Sequence, residues 1–493
     1  MVSYEKGDIH DITPASESDQ DVPNPTSINE KSLIRKLDRH LLPGVCLLYL
    51  LSFLDRSNIA NAKLDGLDDD LHITGNEYLT GLTMFFIGYI LLEVFWNVIL
   101  KRIGPKLWLP TVTFVWGVVA TLQGVIVGGS KGSKVGLIGL LIVRFFLGLT
   151  EGALFPGVVF YLSMWYKRQE RQYRIALFFS AASMAGAFGG ILAYGIGFIG
   201  KYPGQSGWRW IFIIEGILTC ILALAGYWYI ADWPNKAKFI NEDERAFIHA
   251  RLKADSDATE NEAFTWANVA EALKDSKVWL YCAGYHTLSL PLYTLSLFLP
   301  SIIKALGYSA ANAQLLTIPP YALATILTVV WAMISEHHKR RAPFIMTASL
   351  FAVIGYAILL SNLHPTKRPG VSYTGVFFCA AGIYPAVALT LSWPAINVSG
   401  QTKRATACAL QITIGNLGAV IGMQLYRSED APRYVVGHSV ALAYLLANFV
   451  VNVTLWYVLQ KENKKRDQKE QTTAITWDGA WKGDDDVRWR FRL

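Results

Sequence analysis

Residues 41–62 read LLPGVCLLYLLSFLDRSNIANA, and residues 136–159 read GLIGLLIVRFFLGLTEGALFPGVV. As helices rising 1.5 Å per residue, both are long enough to cross a hydrocarbon core of about 30 Å. Both also carry charge in the interior of the run: Asp55 and Arg56 in the first, Arg144 and Glu151 in the second. A charge at membrane depth costs roughly 2.5–3.5 kcal/mol on insertion scales unless a partner or a watery cavity compensates it. These four side chains therefore mark the working part of the chain.

The rest of the sequence repeats the pattern. Of 493 residues, 52% are hydrophobic, too many for a soluble chain of this length, so most of it belongs in lipid. Apolar runs of spanning length begin near Leu41, Tyr78, Trp108, Val135, Ile175 and Trp210, then near Val278, Asn312, Phe344, Ser372, Ala405 and Val436. The expected fold is an all-α membrane protein of twelve transmembrane helices in two pseudo-symmetric groups of six. The expected divisions are a disordered cytosolic tail over 1–36, a six-helix bundle over 37–231 and a cytosolic linker over 232–277. A second bundle over 278–460 and a cytosolic tail over 461–493 follow.

The net charge of +7 does not read as a nucleic-acid surface, because Lys and Arg fall in alternate gaps between spans. Counting them puts both tails, the linker, KRIGPK, KRQERQYR, HHKRR and TKR on one side, hence both termini in the cytosol and, as the expected location, the plasma membrane. Cys46, Cys220, Cys282, Cys379 and Cys408 are scattered through apolar runs without metal-ligand spacing and read as packing residues. The sequons at Asn397 and Asn452 fall in a cytosolic loop and inside a span, so neither is expected to carry glycan. Paired glycines four apart, Gly186 with Gly190 and Gly418 with Gly422, predict close helix packing. Pro156, Pro291, Pro319, Pro320, Pro385 and Pro394 predict kinks or breaks inside spans.

Arg144 and Glu151 are two helical turns apart and share one face of the fourth span. Asp55 and Arg56 are adjacent and diverge by about 100° around the first, so one meets a neighbouring helix while the other faces a cavity. The simplest electrostatic solution pairs Asp55 with Arg144, leaving Arg56 for an anion and Glu151 to titrate. A structural salt-bridge network is the competing reading. Around this centre, Tyr285, His286 and Tyr293 in the seventh span form a polar and aromatic patch suited to a ligand. Asn58 and Asn61 line the cavity or cap the span's end; Glu93 and Glu215 are weaker candidates.

LSFLDRSNIANA (residues 51–62), RFFLGLTEGALFPGVVFYLSMWYKRQERQYRIA and GWRWIFIIEG resemble the fungal allantoate permease family, part of the anion:cation symporters of the major facilitator superfamily. AQLLTIPPYALATI, TKRATACAL and DAPRYVVGH are similar to its nicotinic acid permease branch. The resemblance implies alternating access around a midplane cavity and proton-coupled symport of a small organic anion, such as nicotinate or a related monocarboxylate. It implies that the proton and substrate residues are Asp55 and Arg56 of the DRSN motif and Arg144 and Glu151 of the RxxxGxxE pattern. Two departures stand out: NVILKRIGPKLW lacks the acidic residue usual between the second and third spans, and Glu336-His337 stands where Asp-Arg is usual. The expected site is thus proton-coupling Asp55 and Glu151, with Arg56, Arg144, Asn58, Tyr285, His286 and Tyr293 binding substrate. No enzyme activity, cofactor or metal is expected. The partners are the anion, protons and the bilayer, and the chain is expected to be a monomer. An exporter or organellar carrier on the same fold, or a non-transporting sensor, is the alternative.

Overall fold

The computed structural model describes residues 28–130, 132–197, 199, 206–254, 265–472 and 483–493; the expected polar tail lies, up to residue 27, outside them. Regular structure among the described residues is entirely helical. Span 1 is Glu30–Leu64, span 2 the pair Gly75–Leu91 and Glu93–Ile103, and span 3 Pro105–Gln123. Span 4 is the pair Val135–Glu151 and Leu154–Ser163, span 5 Arg168–Ile196 and span 6 Gly207–Tyr229. The linker holds two short helices, Glu242–Ala254 and Trp266–Lys274. Span 7 is Ser276–Ala305, span 8 Ala310–Leu315 with Ile318–His338, span 9 Ala342–Ser361, span 10 Pro369–Asn397, span 11 Gln401–Met423 and span 12 Val435–Thr472.

Ten of these are singly long and apolar enough to cross a membrane, and the two pieces of span 2, bent by 45°, make an eleventh. Span 3, at 19 residues, takes the twelfth place by packing along span 6. Large apolar side chains such as Phe95, Ile142, Ile221, Ile326 and Val450 point outward, a surface that belongs against lipid.

The packing partners repeat with a shift of six. Span 1 packs on span 5, 2 on 4 and 3 on 6; correspondingly 7 packs on 11, 8 on 10 and 9 on 12. The halves meet through spans 5 and 8, 2 and 11, 5 and 10, and 1 and 7. This is the repeat architecture expected of two pseudo-symmetric groups of six.

Local chemistry sets the helix limits. Span 1 begins at Glu30, well before its apolar run, because Asn29 caps it by accepting from the Ser32 amide. Its polar first turns are held by Lys36 on Glu244 (2.7 Å) and by Arg174 on Asp38 (2.6 Å). Gly104, at φ 95°, makes the turn into Pro105 that separates spans 2 and 3. The prolines divide into two groups. Spans 4 and 8 break just before Pro156 and before Pro319-Pro320, where proline removes a helical hydrogen bond, whereas the helices run on through Pro291, Pro385 and Pro394. The break in span 2 falls at Leu92, where no proline stands.

Both glycine pairs sit at close approaches. A Cβ on Gly186 would come within 2.8 Å of the Tyr321 ring and one on Gly190 within 2.5 Å of the Gln314 carbonyl, so the first pair lets span 5 meet the opposite half. Gly418 and Gly422 bring span 11 onto span 7, against the His286 carbonyl and the Thr294 methyl.

Contacts between the halves occur at both ends of the molecule. At the end bearing the described termini, Gln172 donates to Ser335 at 3.1 Å. At the opposite end, the Gln314 amide donates to both oxygens of Asp65 at 3.4 Å. Burial pushes the Asp65 carboxyl up to about 6, with Gln314 and Lys304 pulling the other way. The closed form therefore holds a proton on Asp65 more tightly than a form in which that carboxyl meets water. Acidification through about pH 6 should stabilise closure at this end, and a rise in pH should weaken it. Hydrogen exchange of residues 310–317, corrected for its intrinsic pH dependence, should slow on acidification in the parent and not in Asp65→Asn; a parent insensitive to pH would contradict this.

Candidate functional site

Arg56 lies at the centre, on the face of span 1 turned toward spans 2, 4 and 7. Its guanidinium forms an ion pair with Glu151, in which Nε donates to Oε1 at 3.0 Å and Nη2 closes the contact. Ser52, one turn earlier on span 1, donates to the same carboxylate oxygen at 2.6 Å. The remaining arm, Nη1, reaches across to the second half and donates to the Tyr293 hydroxyl at 2.8 Å. Four rings surround the cation: Phe53, Phe85, Tyr89 and Tyr293, each with its centroid 5.2–5.4 Å from Cζ. An aromatic cage of this kind replaces part of the hydration that a buried guanidinium loses.

The pairing expected from spacing is thus overturned. Asp55 does not meet Arg144. It faces spans 3 and 6, where its Oδ2 accepts from the Trp116 indole at 2.9 Å and from the Thr219 hydroxyl at 3.3 Å. The divergence of neighbouring helical residues was sound; which of the two faces the centre depends on the rotation of span 1, and here it is Arg56. The expectation that Arg56 is free for an anion fails with it, since Arg56 holds Glu151.

The cation left over is Arg144. It is 0% exposed, and none of its three guanidinium nitrogens has a hydrogen-bond partner among the described residues. What it has is the face of Phe85, 4.9 Å from Cζ. Because Phe85 also flanks Arg56 at 5.2 Å, the two guanidinium groups lie within about 10 Å of each other with a ring against both. Glu151 keeps its second oxygen, Oε2, without a hydrogen-bond partner among the described residues. The centre therefore carries two cations and one carboxylate, with five unused N–H donors on Arg144.

Of the other expected residues, Tyr293 is at the centre and Tyr285 lies near it on span 7, close enough to Tyr293, Tyr49 and Tyr89 for electrostatic interaction. Asn58 and His286 are not brought to the cluster. Asn58 donates to Glu215 on span 6, and His286 turns toward spans 11 and 12, with Nδ1 2.9 Å from the Ile414 carbonyl and its ring beside Tyr444. Asn61 lies against the Gly189 carbonyl at 3.4 Å. Glu93, directly after the break in span 2, accepts from Thr413 of span 11 at 3.0 Å, which makes it a contact between the halves. Sequence reasoning missed the cage. Phe85, Tyr89 and Glu93 at intervals of four, and Ser52 and Phe53 one turn before Arg56, are the helical spacings that would have revealed it.

Two six-helix halves related by a repeat, closed over a buried cluster of unequal charge, define a secondary transporter. The chain belongs to the Major Facilitator Superfamily, whose profile matches residues 45–423, a superfamily of membrane transporters and not of enzymes. It is 37% identical over 448 residues to the MFS-type transporter cnsO of Penicillium expansum, covering 89% of this chain and 85% of that protein. It is 33% identical over 458 residues to the high-affinity nicotinic acid transporter of Saccharomyces cerevisiae, covering 92% and 83%. Its fold is similar to that of the xylose transporter XylE from E. coli, with a TM-score of 0.63 at 15% identity over 86% of this chain and 98% of that one.

Proposed function

We propose that this chain is a proton-coupled symporter of a small organic monocarboxylate, in the allantoate permease branch of the anion:cation symporters, with both termini cytosolic in the plasma membrane and acting as a monomer. The observation that carries the reading is Arg144, buried without a hydrogen-bond partner among the described residues, beside an arginine–carboxylate ion pair. A planar fork of unused donors matches a carboxylate. The rings of Phe85, Tyr89, Phe53 and Tyr293 suit a flat, partly apolar body attached to it. Nicotinate fits that description, and a relative of this chain is named as a nicotinic acid transporter.

Charge balance supplies the coupling. Arg56, Arg144 and Glu151 give the centre a net single positive charge. A proton on Oε2 of Glu151 would raise it by one and loosen Arg56; a monocarboxylate on Arg144 would restore it. Proton and anion therefore favour each other. At a separation of about 8 Å and an effective dielectric of about 20 the mutual effect is about 2 kcal/mol, and linkage makes it reciprocal. Loading both also loosens Arg56 from Glu151, and so the Arg56–Tyr293 contact that joins the halves.

Purified protein in sealed vesicles should accumulate labelled nicotinate, or another monocarboxylate from a panel of vitamins and aromatic acids, when the outside is acidified. Uptake indifferent to the proton gradient for every member of the panel would overturn the reading.

A further inference from the structure

Away from the central cluster, at the end bearing the described termini, a surface cavity of 540 Å³ lies between the loop joining spans 8 and 9 and the segment 483–493. Lys339, Arg340, Arg488, Arg490 and Arg492 line it together with His338, and no described side chain lining it is acidic. We propose that this cavity binds a phosphate-bearing anion of more than one negative charge, as a phosphorylated lipid headgroup or a soluble polyphosphate presents.

The wall is built, not incidental. Residues 488–492 alternate Arg-Trp-Arg-Phe-Arg, so in an extended segment the three arginines share one side and the two rings the other. The rings are driven in: Trp489 and Phe491 are each 3% exposed. Two asparagines then grip the backbone. Asn463 of span 12 donates to the Phe491 carbonyl and accepts from its amide, both at 2.9 Å. Asn397 of span 10 does the same for Arg492, at 2.9 and 2.8 Å. The Trp393 indole adds a third bond to the Arg492 carbonyl at 2.9 Å.

Charge on the wall is only partly compensated. Asp486 holds Arg488 through two bonds of 2.7 Å, and Asp467 and Glu470 hold Arg490 at 2.9 and 2.5 Å. Those acids stiffen two of the arginines from behind. Lys339, Arg340 and Arg492 have no ion pair among the described residues; Glu336, whose carboxylate interacts electrostatically with Lys339 and Arg492, pairs with Arg341 at 3.3 Å. Lys339 is set in place by a left-handed backbone, φ 54°, at the end of span 8. An orientation signal alone needs basic residues anywhere in a loop. Here three cations without an ion pair among the described residues, from two separate segments, converge on one concavity held by named hydrogen bonds, and preorganised cations recognise phosphate with little ordering cost.

The full chain, in nanodiscs of phosphatidylcholine, should be melted with and without inositol hexakisphosphate, and separately in nanodiscs doped with phosphatidylinositol bisphosphate. The exposed loop variant Lys339→Gln/Arg340→Gln leaves the 483–493 segment untouched, and Arg492→Gln serves as a second variant. A melting temperature raised by the soluble probe, with a half-saturating concentration about tenfold higher in the variants, supports a soluble phosphate source. A rise confined to the doped nanodiscs and reduced in the variants supports a headgroup source. No rise with either probe, or rises of equal size in parent and variants, overturns the proposal.

Discussion

Arg144→Ala should weaken binding of the proposed monocarboxylate substrate by about a hundredfold or more while leaving the substrate-free protein as stable as its parent or more so. The first half follows from truncating one side of a buried, hydrogen-bonded charge pair, which typically costs about 2–5 kcal/mol. The second follows from the state of Arg144 without substrate: fully buried, without a hydrogen-bond partner, its cation resting on Phe85. Removing an uncompensated charge from membrane depth relieves roughly 2.5–3.5 kcal/mol on insertion scales. Few binding residues combine those two outcomes. A structural arginine would lose stability on truncation, and the ion-paired Arg56 should do just that. Arg144→Lys should fall between, since an ammonium keeps the charge and loses the fork. Isothermal titration and thermal melting on the same preparations read both quantities.

Glu151→Gln should keep anion exchange and lose accumulation driven by a proton gradient. The amide is nearly isosteric and can still accept from Ser52 and Arg56 through its oxygen, so the geometry around Oε1 survives. What disappears is the charge that protonation switches. The variant resembles the protonated parent permanently, with Arg56 uncompensated and the centre more positive, so it should bind the anion more tightly at neutral pH, by up to about thirtyfold for an interaction of about 2 kcal/mol. Counterflow should proceed and uphill uptake should stop. Proton-driven accumulation at the parent's level would remove Glu151 from the coupling, and Asp55, held by Trp116 and Thr219 in the packing of spans 1, 3 and 6, would take its place.

Much of the fold was legible because the signals are compositional. Each of the expected apolar runs lies in a helix or a broken pair of helices, and the glycine pairs do bring helices close. The helices exceed the runs where polar residues outside the apolar core find caps and ion pairs, as Asn29 and Lys36 do at the start of span 1. The central charges were legible as a group for the same reason: a charge in an apolar run stands out. Their partners were not. Which of Asp55 and Arg56 faces the centre depends on how far span 1 is rotated about its axis, a quantity that belongs to the packing of the whole span, where Leu48, Leu51 and Leu54 are buried, and not to the charged residues alone. The same reasoning misplaced His286, whose face of span 7 turns to spans 11 and 12, and Asn58, which turns to Glu215. The segment 483–493 escaped notice because its period-two pattern is five residues long and lies beyond the last apolar run, where charge alone reads as a solvated tail.

The most direct test is a structure of the protein with a bound monocarboxylate, nicotinate first. The carboxylate should lie on the Arg144 guanidinium in a two-pronged contact, its ring among Phe85, Tyr89 and Tyr293. A carboxylate seated on Arg56 with Glu151 displaced, or an Arg144 still without a partner in the loaded state, would contradict the account.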